Sequence, residues 1–329
     1  MRRLLLVLTV FAAVFLGGAG LWYRSYLTTP APGQGEVVVT IPRGAGVRGI
    51  GAQLAAQGIL GNDIRYLALV SFSGLRTRLK AGEYSIPLGL TPPEVLELLA
   101  SGRTLRHHVT VPEGLTATQI AAIFAQDGWV KRDRFLVLVG DAAFIRQLGI
   151  EAGSLEGYLF PETYTLVRNE ADEATVIRMM VDRFQQVWQT LRVPESNGLN
   201  RHQLLTLASV VEKETGVATE RPLIARVFYN RLARKMRLQS DPTVIYGIAD
   251  FNGNLTRADL QRETPYNTYV IPGLPAGPIC SPGRAALEAV LQPAESDALY
   301  FVSKNDGTHV FSTNLADHNR AVQRYQRGR

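Results

Sequence analysis

The sequence predicts an α+β protein: a membrane-anchored chain with a small α/β module, followed by a larger, helix-rich α+β domain. Three observations lead there. An uncharged apolar run opens the chain. A strand–turn–helix unit occurs twice. Beyond Glu151, long amphipathic helical patterns alternate with short strands and Pro/Gly-rich loops. The 329 residues are enough for two domains plus accessory segments, and 46% hydrophobic content marks a folded chain.

Arg2 and Arg3 precede an uncharged stretch from Leu4 to Tyr23, about the 20 residues that cross a bilayer. Trp22 and Tyr23 stand at its far end, where aromatic belts lie. We expect residues 1–23 to be an uncleaved single-pass anchor in the cytoplasmic membrane, with the amino terminus inside and the bulk of the chain on the extracytoplasmic (periplasmic) side. The run is long for a cleaved signal peptide. Thr28 to Gly35 (TTPAPGQG) reads as a short extended spacer, so residues 24–35 are expected to be a linker.

The module is expected over residues 36–108 and the larger domain over 109–329. VTIPRGAGVRGIGAQLAAQGIL (Val39 to Leu60) aligns without gaps on VTVPEGLTATQIAAIFAQDGWV (Val109 to Val130). Each copy reads as a strand, a turn at Pro-x-Gly and an amphipathic helix closed by Gly. Leu79 to Ile86 reads as a strand and Pro92 to Ala100 as a short helix. This strand–helix pattern resembles the LysM-like modules of cell-wall proteins; two roles stay open for it, glycan binding or a packing domain that spaces the rest of the chain from the membrane.

Farther on, Glu170 to Leu191 has helical amphipathicity. Asn200 is placed to cap a helix running to Glu214. Thr219 to Lys235 reads as a helix with Pro222 in its first turn. An Asn252-Gly253 turn leads to a helix opened by Thr256-x-x-Asp259. Tyr266 to Gly283 carries too many Pro and Gly for regular structure. Arg284 to Leu291 reads as a helix, Leu299 to Ser312 as a hairpin turning at Asn305-Asp306-Gly307, and a last helix follows.

The formal charge of +6 suits an anionic neighbourhood: lipid surface, cell-wall polymer or nucleic acid. With no zinc-finger spacing and no RNP-type aromatic motif, no nucleic-acid partner is expected. The single cysteine, Cys280, rules out an intrachain disulfide framework. None of the five histidines, His107, His108, His202, His309 and His318, has HExxH-type spacing. No metal and no cofactor are expected.

The most informative tract is LLTLASVVEKETG, Leu204 to Gly216. It sets Glu212 and Glu214 at the end of an otherwise apolar helix. A carboxyl against apolar packing has its charged form destabilised, so its pKa rises toward that of a neutral-pH general acid. Helical phase puts both glutamates at the edge of the buried face and does not choose between them.

Four strings resemble one family: ASVVEKETG, RPLIARVFYNRLARKMRLQSDPTVIYG, PYNTYVIPGLPAGPI and YFVSKNDGTHVFSTNLADHN. By these the chain resembles the YceG-like family, the endolytic murein transglycosylases. The resemblance implies cleavage of peptidoglycan glycan strands between N-acetylmuramic acid and N-acetylglucosamine. It implies 1,6-anhydro-muramyl ends, the ending of nascent strand growth and association with peptidoglycan synthases. It makes residues 109–329 the catalytic domain and Glu214 the catalytic acid. Around it, Glu156, Glu162 and Asp241 are expected to hold sugar hydroxyls or brace the site. Tyr158, Tyr164, Tyr246, Tyr266, Asn267 and Tyr269 are expected as platforms and rims, with Gln239 and Thr243 as hydrogen-bonding neighbours.

Overall fold

The computed structural model describes residues 2–168, 170–194 and 198–327. It is a mixed α+β chain whose Cα positions group into two units: residues 1–108 with 165–171, and residues 109–164 with 172–329.

The first unit opens with α1 (Arg2–Thr28), whose apolar span is exposed and long enough to cross a membrane. At 27 residues it is ~40 Å long, more than a bilayer core requires. Its last turns are therefore free to pack on protein: Tyr26 is buried and donates its hydroxyl to the Gly61 carbonyl at 3.0 Å. Arg65 lies 4.7 Å over the Trp22 ring and 4.8 Å over that of Tyr26 while paired with Asp63. The segment expected as a spacer at Thr28 to Gly35 carries contacts of its own. Thr28 still belongs to α1, and Ala31 exchanges backbone hydrogen bonds with Leu90 and Gly89 at 2.9 and 3.0 Å. These bonds satisfy backbone groups that burial of Ala31 would otherwise leave unpaired.

The unit continues as β1 (Glu36–Ile41), α2 (Val47–Ala56), α3 (Ile64–Phe72), β2 (Gly82–Pro87) and α4 (Pro92–Ser101). β1 and β2 pair antiparallel, Val39 opposite Tyr84 and Ile41 opposite Gly82. Alternate residues Val39 and Ile41 face the core with Ile50, Leu54, Tyr66, Tyr84, Ile86, Leu96 and Leu99. A Cβ at Gly51 would fall 2.5 Å from the Tyr66 ring, so the close approach of α2 and α3 needs glycine there.

β3 (His107–Thr110) pairs with β4 (Thr163–Leu166), and between them run α5 (Ala117–Gln126), α6 (Arg132–Val139) and α7 (Ala142–Gln147). The sequence repeat is a structural one. Gly44 and Gly114 turn at φ 78° and 75°, and Gly58 and Gly128 close their helices at φ 71° and 69°. The amides of Ile59 and Trp129 return to Leu54 and Phe124, both at 3.0 Å.

The second unit then carries α8 (Glu173–Thr190), α9 (Arg201–Glu214), α10 (Arg221–Ala233), α11 (Asp241–Tyr246), α12 (Arg257–Gln261), α13 (Arg284–Leu291), the hairpin β5 (Tyr300–Ser303) and β6 (His309–Ser312), and α14 (Leu315–Val322), continued by a π-helical turn. α9 is the central rod, buried at every residue from Leu204 to Val211 and packed by α10, α11 and α13. Its start is fixed by a capping box in which Asn200 and Gln203 exchange side chain-to-backbone bonds. α8 begins at Glu173 rather than Glu170 because Asp172 caps it, accepting from the Thr175 amide at 2.8 Å. The segment from Tyr266 to Gly283 has no helix or strand, and is pinned to α9 where the Ile279 amide donates to Ser209 Oγ at 3.0 Å.

Candidate active site

The two glutamates closing α9 are two positions apart, so their side chains leave the helix in different directions. Glu212 turns inward. It accepts from Arg221 at 3.3 Å and from the Gly283 amide at 3.0 Å, tying α9 to the starts of α10 and α13. Glu214 turns to a cavity of about 410 Å³ whose walls include Arg231, Gln239, Asp241 and Tyr269. The hairpin and α14 complete the walls with Phe301, Ser303, His309 and His318.

Glu214 keeps one edge open to this cavity and is otherwise enclosed by protein. Loss of hydration pushes its pKa up to about 7; Asp241 adds to the rise, while the Ser240 hydroxyl, donating to Oε1, and Arg231 oppose it. At neutral pH the carboxyl is therefore divided between acid and carboxylate.

Arg231 is 8% exposed and bound by carbonyls: Nε donates to Leu299 at 2.7 Å and Nη1 to Leu238 at 2.8 Å. Its guanidinium lies 5.1 Å over the Tyr300 ring, and His318 also stacks on Tyr300, at 5.1 Å. Burial holds the His318 imidazole below its usual pKa, with Arg231 contributing. His309 is fastened to Glu220, its amide donating at 2.9 Å and its Nδ1 lying 2.7 Å from the other carboxylate oxygen.

Gln239 adopts a left-handed backbone (φ 52°), a sparsely populated conformation for a non-glycine residue. Two bonds hold it there: its amide to the Thr268 carbonyl at 3.1 Å, and Arg231 Nη1 to its side-chain oxygen at 3.3 Å. Tyr269 donates its hydroxyl to Asp241 Oδ1 at 2.6 Å, fixing that carboxylate on the wall.

Of the residues expected around Glu214, the cavity thus gathers Gln239, Asp241 and Tyr269. Thr243 and Asn267 stand behind the wall. Thr243 is fully buried and bonds the Ser240 carbonyl at 2.6 Å and Thr268 at 2.8 Å. Asn267 spends its amide on the carbonyls of Asp259, Leu260 and Arg262. Tyr246 and Tyr266 pack edge to face at 4.7 Å, away from the cavity.

Glu156, Tyr158, Glu162 and Tyr164 do not line it either. Both Glu156 oxygens accept from the Ala117 amide, and Oε2 also accepts from Tyr246 at 3.1 Å. Burial pushes its pKa up to about 7. Tyr158 is a core residue bonded to His202 at 2.8 Å, Glu162 pairs with Arg183 at 2.8 Å, and Tyr164 donates to the Phe160 carbonyl at 2.6 Å. Each has its polar group occupied by the fold.

Sequence reasoning missed Ser240, Arg231 and the hairpin residues. Ser240 lies inside the string LQSDPTVIYG, directly before Asp241. Arg231 and His318 sit on helices far apart in sequence, and no spacing joins them to Glu214.

Residues 39–324 match the model of the YceG-like family. The chain is 33% identical to the endolytic murein transglycosylase of Bacillus subtilis (strain 168), over 95% of this chain and 91% of that protein. It is 32% identical to the endolytic murein transglycosylase of Streptococcus pneumoniae serotype 2 (strain D39), over 95% of this chain and 63% of that longer protein. A crystal structure of a yceG-like protein from Listeria monocytogenes superposes with a TM-score of 0.58 at 31% identity, covering 87% of this chain and 98% of that one. The chain belongs to the YceG-like family.

Proposed function

We propose that this protein is a membrane-anchored lytic transglycosylase that cuts murein glycan strands internally, with Glu214 as its acid and then its base. One observation carries the chemistry: a half-enclosed carboxyl with its pKa pushed to about 7, standing in a cavity with an oriented carboxylate and a buried guanidinium. The names of the relatives support murein as the substrate.

In this reading protonated Glu214 gives its proton to the glycosidic oxygen as the bond from muramyl C1 breaks. The resulting carboxylate takes the proton of the C6 hydroxyl while that oxygen bonds to C1. No water is consumed, and the product is a 1,6-anhydro-muramyl end. The Tyr269-held Asp241 faces the positive charge developing at C1. Arg231 favours the carboxylate form of Glu214 between the two proton transfers.

The anchor holds the protein in the cytoplasmic membrane with both units on the extracytoplasmic side, where nascent strands are made. We read the β1–α2–α3–β2 arrangement as a LysM-like module that grips glycan. Cutting near the membrane would end strand elongation and favour association with peptidoglycan synthases.

The test is digestion of intact murein strands by the full-length protein in detergent. Internal fragments from the wild type, absent with Glu214→Gln, are expected. No fragments from the wild type, or equal fragments from both, would overturn the reading.

A further inference from the structure

The other end of α9 carries a second cavity. α9 has 14 residues, so its ends lie ~20 Å apart. Around its first turn, two openings of about 510 and 370 Å³ share Gly149 and Arg201. One wall is a face of α8, where Arg178, Asp182 and Gln185 recur at helical spacing with the ring of Trp188 beside them.

Arg201 is the unusual member. Its guanidinium lies 5.0 Å over Phe184 and 5.2 Å over Trp188. Nε and Nη2 are buried and have no hydrogen-bond partner among the described residues. Burial holds this group below the usual arginine range. Buried N–H donors left unpaired are costly, and the contacts with the two rings offset that cost only in part. Arg201 borders both openings, and a guanidinium there offers the planar fork that a carboxylate fits.

The surroundings narrow the ligand. Arg178, over the Phe144 ring at 5.1 Å, adds a second positive charge, and Asp182 adds a negative one. Side-chain amides and an indole ring line the same cavity. Charges of both signs, amide groups and one flat apolar surface match a short zwitterionic peptide better than a neutral sugar or a simple inorganic anion.

We propose that this cavity is a second binding site, in which Arg201 receives a carboxylate of a short peptide of the kind that murein glycans carry as stems. It deepens the murein reading above, on which it rests for the source of the peptide. Asp182 meets an ammonium group of the same peptide, and Trp188 packs along its aliphatic part. The enzyme would then read a stem well away from the bond it cuts.

The test is calorimetric titration of the full-length protein in detergent with three probes: a synthetic murein stem pentapeptide, the same peptide with its carboxylates amidated, and inorganic phosphate. The free-acid peptide should saturate one site. Amidation or Arg201→Gln should each weaken binding tenfold or more, about 1.4 kcal/mol. Because Arg201 also packs on two rings, Arg178→Gln serves as a second variant on an exposed position and should weaken binding in the same direction. No saturable binding, equal binding of the amidated peptide or phosphate, or wild-type affinity in both variants would overturn the proposal. Murein cleavage is scored separately. Cleavage without peptide binding sinks this site alone, and peptide binding without cleavage by the wild type sinks the transglycosylase reading while leaving this site standing.

Discussion

The Ser240 hydroxyl donates to Glu214 Oε1, joining the residue before α11 to the last residue of α9. Ser240 is itself held, its amide accepted by Thr268 Oγ1 at 3.0 Å and its carbonyl accepting from Thr243 at 2.6 Å. The buried threonines thus set the position of the acid without touching it.

Removing the acid should separate the two glutamates functionally. Glu214→Gln keeps shape but has no proton to give, so turnover should fall ~100-fold or more. Glu212→Gln breaks the ion pair with Arg221 and should lower stability by about 1–3 kcal/mol while leaving more activity than Glu214→Gln. Turnover and thermal midpoints of the two variants check this; abolished turnover in Glu212→Gln alone would reverse the assignment.

The neighbours of Glu214 should move its titration in opposite directions. The first step needs the protonated acid, so kcat/KM should fall as pH rises through about 7. The Ser240 bond favours the carboxylate, so Ser240→Ala should move that fall upward, by about one pH unit for a hydrogen bond of ~1.5 kcal/mol to a charged group. Asp241 favours the protonated form, and Asp241→Asn should move the fall downward. A pH–rate profile of each variant measures both shifts.

Glu156 should cost the protein stability at alkaline pH. Its pKa stands at about 7 in the fold against 4.5 for a free glutamate, so folding retains a proton that the unfolded chain releases between those values. Stability is then fully present below about 4.5, declines as pH rises, and levels off above about 7, a loss on the order of 3 kcal/mol. Glu156→Gln keeps an acceptor for the Ala117 amide and removes this titration. Its thermal midpoint should decline less than that of the wild type between pH ~5 and ~8; parallel declines would contradict the assignment.

The anchor reading predicts that a reporter fused after Gly35 is active only if it works outside the cytoplasm. Activity of a cytoplasm-only reporter at that position would contradict the proposed orientation.

Local signals were legible in the sequence where local physics decides. The Pro-x-Gly turns, the Asn200 cap, the Thr256-x-x-Asp259 capping box and the α13 boundaries all rest on neighbours a few residues apart. The bonds that Ala31 of the spacer makes with Gly89 and Leu90 were not legible, because those partners lie far along the chain. The site divides in the same way. Gln239, Asp241 and Tyr269 meet Glu214 because two distinctive strings converge, whereas tyrosines in the same strings, such as Tyr246 and Tyr266, pack edge to face on each other. A tyrosine looks the same in sequence whether its ring faces a cavity or the core. Arg231 and His318 could be found only once the helices were folded together.

The most direct measurement is the mass of the fragments released from murein strands, with and without borohydride reduction. If Glu214 serves as both acid and base and the C6 hydroxyl is the nucleophile, the new ends are one water lighter than hydrolytic fragments and take up no hydrogen on reduction. Fragments of hydrolytic mass whose muramic acid ends are reducible would contradict this account, because water would then be the nucleophile and Asp241 the first residue to test as its base.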